Sequence, residues 1–263
     1  MLALLKRNFL LYFRNRSGVF FSLLGALISF ILYIIFLQKN LTDAWNQLPN
    51  SGPLLNNWLM SGALAVTGTT TSLAALTQLV KDRERQVDQD LYLSNHGKWR
   101  LPFSYLTSAI IISFFMQALM YVLMCGYFRE VPALSLLPEV LHIMLLSSLL
   151  SSLVNAIFVY FFHSVDSLGK FSTIVGTASG FLVGTYVPLG VLPDFAQLLM
   201  KCTPATYIAA LYRQVLMKET LSETFKGQDN LLREFQEKMG VQLKWQGLLT
   251  KENTYLIDRK SVV

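Results

Sequence analysis

The stretch VFFSLLGALISFILYIIFL, residues 19–37, runs for 19 residues without a charged side chain. Because a helix rises about 1.5 Å per residue and the hydrocarbon core of a bilayer is about 30 Å thick, roughly 20 apolar residues cross a membrane. The rest of the chain agrees, since 53% of its residues are hydrophobic and only 14% are charged, against about 25% charged in typical soluble domains. The sequence therefore predicts an all-α, polytopic membrane protein.

The residues before this stretch combine apolar and basic side chains. The apolar ones recur at helical spacing and the basic ones surround them; the two sets are Leu2, Leu5, Phe9 and Phe13, and Lys6, Arg7, Arg14 and Arg16. The pattern predicts an N-terminal amphipathic helix within residues 1–18 that lies on the inner membrane surface and leads into the first span. The alternative is a basic flank whose periodicity is accidental.

Four further apolar windows follow the first one. They cover about residues 58–80, 103–127, 140–162 and 171–187, so the sequence predicts five transmembrane helices. The second and third are separated by KDRERQVDQDLYLSNHGKWR, residues 81–100, the most charged stretch of the first 200 residues.

The segment after the fifth window, residues 188–217, is moderately apolar but is interrupted by Pro188, Pro193 and Pro204. Proline removes a backbone donor, and irregular backbone is tolerated at membrane depth only where protein shields it. We therefore expect a broken, re-entrant or interfacial pair of short helices here; the alternative is a proline-kinked sixth span. Residues 218–252 are mixed in charge and predict a small helical extracytoplasmic segment.

Lysine and arginine are distributed unequally between the two sides of the predicted spans. The N-terminal flank carries four, the 81–100 loop five and the 163–170 turn one, whereas the opposite loops carry one each, Lys39 and Arg129. Cytoplasmic loops of membrane proteins are enriched in these residues. We therefore expect the N-terminus and the 81–100 loop in the cytoplasm, and the chain after the fifth span outside.

The sequence offers no constellation of residues for catalysis or metal binding. Gly169-Lys170 is followed by Phe171, so it is not the end of a phosphate-binding loop, and the three histidines are scattered. The net charge of +6 comes from residues that flank spans, which argues against nucleic acid as a partner. The spans also lack the ionisable relays of proton- or sodium-driven transporters. We expect no enzyme and no cofactor on this chain, and any energy for transport to enter from another chain.

Two sets of small residues allow more than one interpretation. Gly176, Gly180 and Gly184 follow two consecutive G-x-x-x-G steps, which let another helix approach closely. That helix belongs either to a second subunit or to the same chain. A polar stripe in the fourth span either lines a substrate path or forms interhelical hydrogen bonds; it consists of Ser147, Ser148, Ser151, Ser152 and Asn155.

The order of these features resembles the ABC-2 type permease family, the membrane subunits of ATP-driven exporters. Two motifs carry the resemblance over most of the chain. In the charged loop they are Asp82-Arg83-Glu84, then Asp90-Leu91-Tyr92-Leu93-Ser94-Asn95 and Lys98-Trp99-Arg100; after the fifth span they are Gly184-Thr185-Tyr186-Val187-Pro188, Leu192-Pro193, Pro204-Ala205-Thr206-Tyr207 and Arg213. The chain departs from the family pattern where Gln86 or Val87 stands near a usual loop glycine and Asn95 replaces a proline.

The resemblance implies a coupling helix in the 81–100 loop that docks on a separate cytoplasmic ABC ATPase, which would bind ATP and Mg. The docking residues would be Asp82, Arg83, Glu84, Arg85, Asp90, Tyr92 and Trp99. A re-entrant gate would contain Pro188, Pro193, Pro204, Tyr207 and Arg213. A second permease chain, identical or different, would complete the pathway in the cell membrane. The alternative is a non-transporting membrane scaffold or assembly protein, whose 81–100 loop only fixes topology.

Permeases that this chain resembles have six spans, whereas five are found here. Residues 253–257 look like the start of a sixth span, which residues 258–263 interrupt. This last hexapeptide, DRKSVV, matches the translation of a common sequencing adapter. We therefore expect a permease domain over residues 1–257, truncated before its last transmembrane helix, and a non-native tail over 258–263. The alternative is a genuine short tail.

Overall fold

The computed structural model describes residues 1–39, 51–93, 99–129, 134–243 and 254. The regular structure in these residues is helical and contains no strand, so the prediction of an all-α membrane protein is confirmed. Apart from Thr254, the predicted start of a sixth span lies outside the described residues, as does the tail 258–263.

The helices follow the predicted spans but extend beyond several of them. In chain order the first seven are α1 (Leu2–Arg14), α2 (Arg16–Leu32, continued by a π-helical turn, Tyr33–Leu37), α3 (Ser51–Glu84), α4 (Val87–Leu93), α5 (Arg100–Phe128), α6 (Leu137–Tyr160) and α7 (Val165–Leu182). Four shorter helices follow: α8 (Asp194–Lys201), α9 (Pro204–Leu216), α10 (Lys218–Thr224) and α11 (Asp229–Lys238). Within the described residues, four helices are long and apolar enough to cross a membrane: α2 with its π turn, α3, α5 and α6.

Helix α3 occupies the centre of the bundle, where α2, α5, α6, α7 and α9 pack around it. Its glycine, alanine, serine and threonine residues allow this close packing, because small side chains let helix backbones approach each other. The hydroxyls remain satisfied inside the helix, as where Thr71 Oγ1 donates to the Thr67 carbonyl at 2.6 Å. Small size with internal hydrogen bonding therefore explains how the least apolar of the four candidate spans becomes the most buried.

The outer surface of the bundle is apolar along α5 and α6. On α6 the exposed large side chains recur every four residues and form one face; they are Leu141, Leu145, Leu149, Leu153 and Ile157. On α5 they are Ile111, Phe115, Leu119 and Val122. Since lipid tails are as apolar as leucine, these faces suit a bilayer and carry no penalty for exposure.

The predicted fifth span, 171–187, differs from the helix that forms there. α7 begins at Val165 and ends at Leu182, and it is not among the four candidate spans because charged and hydroxyl residues lower its mean hydropathy. Gly184 then takes a φ of +71°, a left-handed conformation that ends a helix and that glycine adopts without strain. The fifth helix therefore begins and ends earlier in the chain than expected and is more polar.

The segment 188–217 forms the expected pair of short helices, α8 and α9, rather than one kinked helix. The prolines set the helix starts: Pro188 precedes a 3-10 turn at Leu189–Val191, Pro193 is the N-cap of α8, and Pro204 is the first residue of α9. Proline suits these positions because its fixed φ matches a helix and its missing N–H would have no partner there.

Helices α10 and α11 pack over the N-terminal end of α3. The indole Nε1 of Trp58 donates to the Met239 carbonyl at 2.8 Å, and Phe235 is fully buried in the main core. A side chain on Gly190 would collide with the backbone of Lys238, so glycine is needed where α11 meets the 3-10 turn. The residues after α9 therefore belong to the same packed unit as the spans.

Candidate functional site

Asp82, near the C-terminal end of α3, is the centre of a buried polar cluster. It accepts two hydrogen bonds from the Arg7 guanidinium of α1, 2.7 Å from Nη1 to Oδ2 and 2.9 Å from Nη2 to Oδ1. Tyr105 of α5 and Gln78 of α3 donate to the same carboxylate. Hydrogen bonding to Asp82 raises the pKa of Arg7, so this guanidinium stays charged. The cluster anchors α1 to the bundle.

The two residues after Asp82 hold the junction between α6 and α7. Arg83 donates to the carbonyls of Tyr160 and Phe162, both at 3.2 Å, where α6 ends. Glu84 accepts a longer hydrogen bond, 3.4 Å, from the amide of Val165, where α7 begins. A cation at a helix C-terminus and an anion at an N-terminus are both favourable. We call Asp82, Arg83 and Glu84 the clamp, because they join the end of α3 to α1, α6 and α7.

Two residues separate helix α4 from the clamp, and the chain changes direction at the second of them, Gln86. Gln86 has a φ of +58°, a left-handed conformation that is uncommon for residues other than glycine. The permease pattern that the chain resembles has a glycine near this position. Gln86 stands there instead and adopts the left-handed conformation that a glycine would adopt. The turn leaves Asp90 and Tyr92 of α4 exposed, with 43% of Tyr92 accessible.

The structure separates the expected docking residues into two sets. Asp82 is only 3% exposed and its carboxylate is enclosed by α1 and α5, so it is not available to a docking partner as the sequence suggested. Arg83 and Glu84 hold neighbouring helix ends, although Glu84 is also exposed. The exposed remainder consists of Arg85, Asp90, Tyr92 and Trp99.

Trp99 lies beside an apolar groove at the same end of the bundle as α4. The groove has a volume of about 260 Å³ and is lined by α3, α5 and α6, with Leu79, Phe103 and Tyr160 among its residues. Trp99 itself is 79% exposed, an unusual position for a large indole. An exposed tryptophan beside an apolar groove, directly before the span α5, suits contact with the membrane interface as well as with another protein.

At the other end of the bundle, Arg213 of α9 is fully buried. Its guanidinium donates to the carbonyls of Val183 and Gly184, at 3.1 and 2.9 Å, and to the carbonyl of Gly240 at 3.1 Å. It also stacks over Trp58 of α3, with 5.1 Å from Cζ to the ring centroid. Arg213 therefore connects the end of α7, the centre of the bundle and the segment after α11.

The other expected gate residues surround this connection. Pro188, Pro193 and Pro204 lie at the helix starts described above, and Tyr207 packs half-buried beside Leu189, one residue after Pro188. The five thus lie in or at the ends of the short helices that follow α7, and their role as a gate stays a prediction.

Next to Arg213, Tyr212 donates to Gln117 Oε1 of α5 at 2.8 Å, and Gln117 donates to Ser148 of α6 at 2.8 Å. Asn155 of α6 bonds Ser72 Oγ and the Thr69 carbonyl of α3. Two residues of the polar stripe of the fourth span, Ser148 and Asn155, therefore make interhelical hydrogen bonds, as one of the two interpretations expected. The hydroxyls of Ser147 and Ser152 are buried and bond no residue in the described part of the chain, so both interpretations stay open for them.

The three glycines of the fifth span do not form one helical ridge. Gly180 is covered by the ring of Tyr186 from the same chain, and Gly184 lies beyond the helix. Gly176 has open space where a side chain would be, although its carbonyl lies close to Gly25 of α2. Packing within the chain accounts for Gly180, whereas Gly176 borders an open groove.

The sequence alone did not identify Arg7, Gln117 or Tyr212 as members of these clusters. Gln117 carried a signal, because a lone amide inside an apolar run needs a buried partner. Arg7 carried none, since its partner Asp82 is 75 residues away and it resembled the other basic residues of the flank.

The comparisons with known proteins agree with the fold. The family model for ABC-2 type transporters matches residues 1–217, which covers the clamp, α4 and the segment containing Arg213. No curated protein and no solved structure matches the chain. A match over this share of the chain, together with the helical membrane bundle, shows that the chain belongs to the ABC-2 type transporter family and is a membrane permease subunit of an ABC transporter.

Proposed function

We propose that this chain is the permease subunit of an ATP-driven exporter and that a separate cytoplasmic ATPase docks on α4. The observation that carries the proposal is the clamp, which links the exposed helix α4 to three other elements of the bundle. The ATPase would bind ATP and Mg and hydrolyse ATP, while the permease would provide the path.

The clamp supports coupling because it gives a push on α4 a direct mechanical route. A two-residue turn, Arg85-Gln86, joins α4 to Glu84. A displacement of α4 then acts on the start of α7 through Glu84, on the end of α6 through Arg83 and on α1 through Asp82. A loop that only fixed topology would need none of these contacts.

The surface of α4 favours a partner with basic and apolar residues. Asp90 is exposed, Asp88 lies one turn before Tyr92, and Tyr92 adds an aromatic ring with a polar tip. Charged residues at the rim of an interface set its register, and buried aromatic residues supply much of its affinity. The side chains of α4 thus fit a docking helix.

A second permease chain is proposed on the face of α7. Thr173 and Thr177 are exposed on this helix, and each hydroxyl bonds only a carbonyl of its own helix among the contacts that the structure describes. Such a face is less suited to lipid than the leucine face of α6. Two copies facing each other across α7 would enclose a path between them.

The orientation and location are part of the proposal. The excess of lysine and arginine at the clamp end favours the cytoplasm for α1 and α4, and the opposite side for α10 and α11. The cell membrane is the expected location.

The docking role predicts a loss of partner binding when the exposed face of α4 is altered. The double variant Asp90→Lys, Tyr92→Ala is expected to reduce co-purification of the ATPase at least about tenfold, because it reverses a rim charge and removes an aromatic anchor. The measurement is affinity purification of the tagged permease from mildly solubilised membranes, with quantification of the bound ATPase.

The matched control, Glu223→Lys with Leu231→Ala, changes the same kinds of residue on α10 and α11 at the other end of the bundle. It should leave co-purification unchanged. Equal ATPase recovery from both double variants would contradict docking on α4, whereas no ATPase recovered with the wild-type permease would favour a scaffold without an ATPase partner.

A further inference from the structure

An open groove lies on the face of the bundle between α2, α3 and α7. It has a volume of about 380 Å³, and its walls come from all three helices. The residues that matter here are Phe21, Ile28, Leu73, Thr177, Gly176 and Lys81. Neither the clamp nor the Arg213 connection uses this groove.

The groove has a charged end and an apolar remainder. Lys81 lies at the end nearest the clamp, is half-buried, and forms no ion pair with any residue in the described part of the chain. Asn15 and Thr77 adjoin it at the same end. An ammonium group in a recess without a carboxylate partner favours an anion beside it.

The apolar part of the groove extends away from Lys81. Phe21 and Ile28 of α2 lie two turns apart and line one side, and Leu73 of α3, two turns before Lys81, lines the other. Gly176 has open space where a side chain would be, so the groove stays open beside it, whereas Gly25 packs closely against the Gly176 carbonyl and Val66. An apolar chain of lipid-like width can lie here with its length along the helices.

We propose that this groove binds an anionic amphiphile, with its phosphate or carboxylate headgroup at Lys81 and its apolar tail along Phe21, Ile28 and Leu73. The proposal rests on the proposed function and names the chemical class of the substrate. Lys81 directly precedes Asp82, so the headgroup lies beside the clamp that joins α4 to the bundle. Charge complementarity selects the anion, and the open apolar wall selects the tail.

The first test replaces the cation. Wild-type protein in phosphatidylcholine liposomes is labelled with a monoacyl phosphate that carries a photoreactive diazirine in its tail. Lys81→Gln is expected to lower labelling of α2 and α3 peptides by about tenfold, the effect of one lost charge-assisted contact. The control Lys170→Gln removes an exposed lysine that pairs with Asp166 on the same side of the bundle, and it should label like wild type.

The second test fills the groove. Gly176→Leu places a side chain in open space, so it should abolish labelling without disturbing the helices. The control Gly126→Leu also adds a leucine at a helical glycine with open space, but on α5 outside the groove, and should leave labelling unchanged. A phosphocholine-headed probe with the same tail should label wild type and Lys81→Gln equally and weakly.

Several outcomes would overturn the proposal. Unchanged labelling in both Lys81→Gln and Gly176→Leu, or equal labelling by the two headgroups, would show that the groove does not select an anionic amphiphile. Retained labelling in Gly176→Leu, together with a shift from dimer to monomer, would show that the groove contributes only to the α7 subunit interface proposed above and does not hold the amphiphile. Co-purification of the ATPase from native membranes, measured on the same protein variants, separates the two claims. If wild-type protein recovers no ATPase but is still labelled, docking is refuted and the groove proposal stands.

Discussion

Asp82→Ala is expected to detach α1 from the bundle and to cause a large loss of stability. The substitution leaves the Arg7 guanidinium without its carboxylate and removes the acceptor of Tyr105 and Gln78. Breaking a buried charge pair from one side costs about 3–5 kcal/mol, and the lower value, about 3 kcal/mol, applies here because 29% of the Arg7 side chain is exposed. The measurement is thermal unfolding of the purified protein in detergent.

A second readout reports on α1 itself. Leu4 of α1 is buried against the bundle, so a cysteine at this position should react slowly with a maleimide in the wild-type background and rapidly with Asp82→Ala. Asp88→Ala, which removes an acidic residue from α4 instead, should change neither the unfolding temperature nor the labelling rate. Equal labelling rates in the two variants would mean that Arg7 and Asp82 do not hold α1 in place.

Arg213→Leu is expected to have an effect of similar size at the other end of the bundle. The variant keeps an apolar side chain but leaves the carbonyls of Val183, Gly184 and Gly240 without their donor and removes the stacking on Trp58. Hydrogen bonds from a charged group contribute about 1.5–3 kcal/mol each, so a total loss of roughly 3–5 kcal/mol follows once relaxation is allowed for. Residues 218–243 should then be held less firmly to the spans, with the Trp58–Met239 hydrogen bond remaining.

Hydrogen exchange over α10 and α11 measures that attachment. In Arg213→Leu, exchange should accelerate far more over α10 and α11 than over α1. The acceleration in Arg213→Lys should lie between those of wild type and Arg213→Leu, because an ammonium lacks the planar fork of a guanidinium. Arg233→Leu, at an exposed arginine of α11, is the matched control. Acceleration spread evenly over the chain would mean that Arg213 contributes only general stability.

The long apolar stretches of the chain were sufficient to predict most of the fold. The 19–37 stretch and the windows that became α5 and α6 were placed within a few residues, because long apolar helices need little besides composition and length. The end of α7 was missed because Gly184 was read as part of a helical ridge. Gly184 has a left-handed φ, and the Tyr186 ring folds back over Gly180, an arrangement that spacing alone does not reveal.

The sites were less predictable than the fold, since their contacts join residues far apart in sequence. The family resemblance implied that Asp82 is a docking residue, yet the helix α3 continues through it to Glu84 and its carboxylate bonds Arg7. Arg213 was identified, but its partners Val183, Gly184 and Gly240 were not. Side chains that satisfy distant backbone groups leave no periodic signal in the sequence.

The arrangement of the clamp gives the two ends of the molecule different roles. The end that contains α4 carries exposed charged and aromatic residues, which in the proposed mechanism receive the force from the ATPase. The other end is closed by α8 to α11 around a fully buried arginine. Helix α3 runs between them through the middle of the bundle, so it is the element through which the two ends communicate in the proposed mechanism.

Docking of an ATPase on α4 is the central claim, and photocrosslinking tests it most directly. A benzoyl-phenylalanine placed at Asp90 in native membranes should form a covalent adduct with a protein that carries an ATP-binding cassette, identified by mass spectrometry of the adduct. The same amino acid placed at Glu223, exposed on α10, should form no such adduct. An ATPase adduct from position 223 and none from position 90 would contradict the proposed docking surface and the orientation of the chain together.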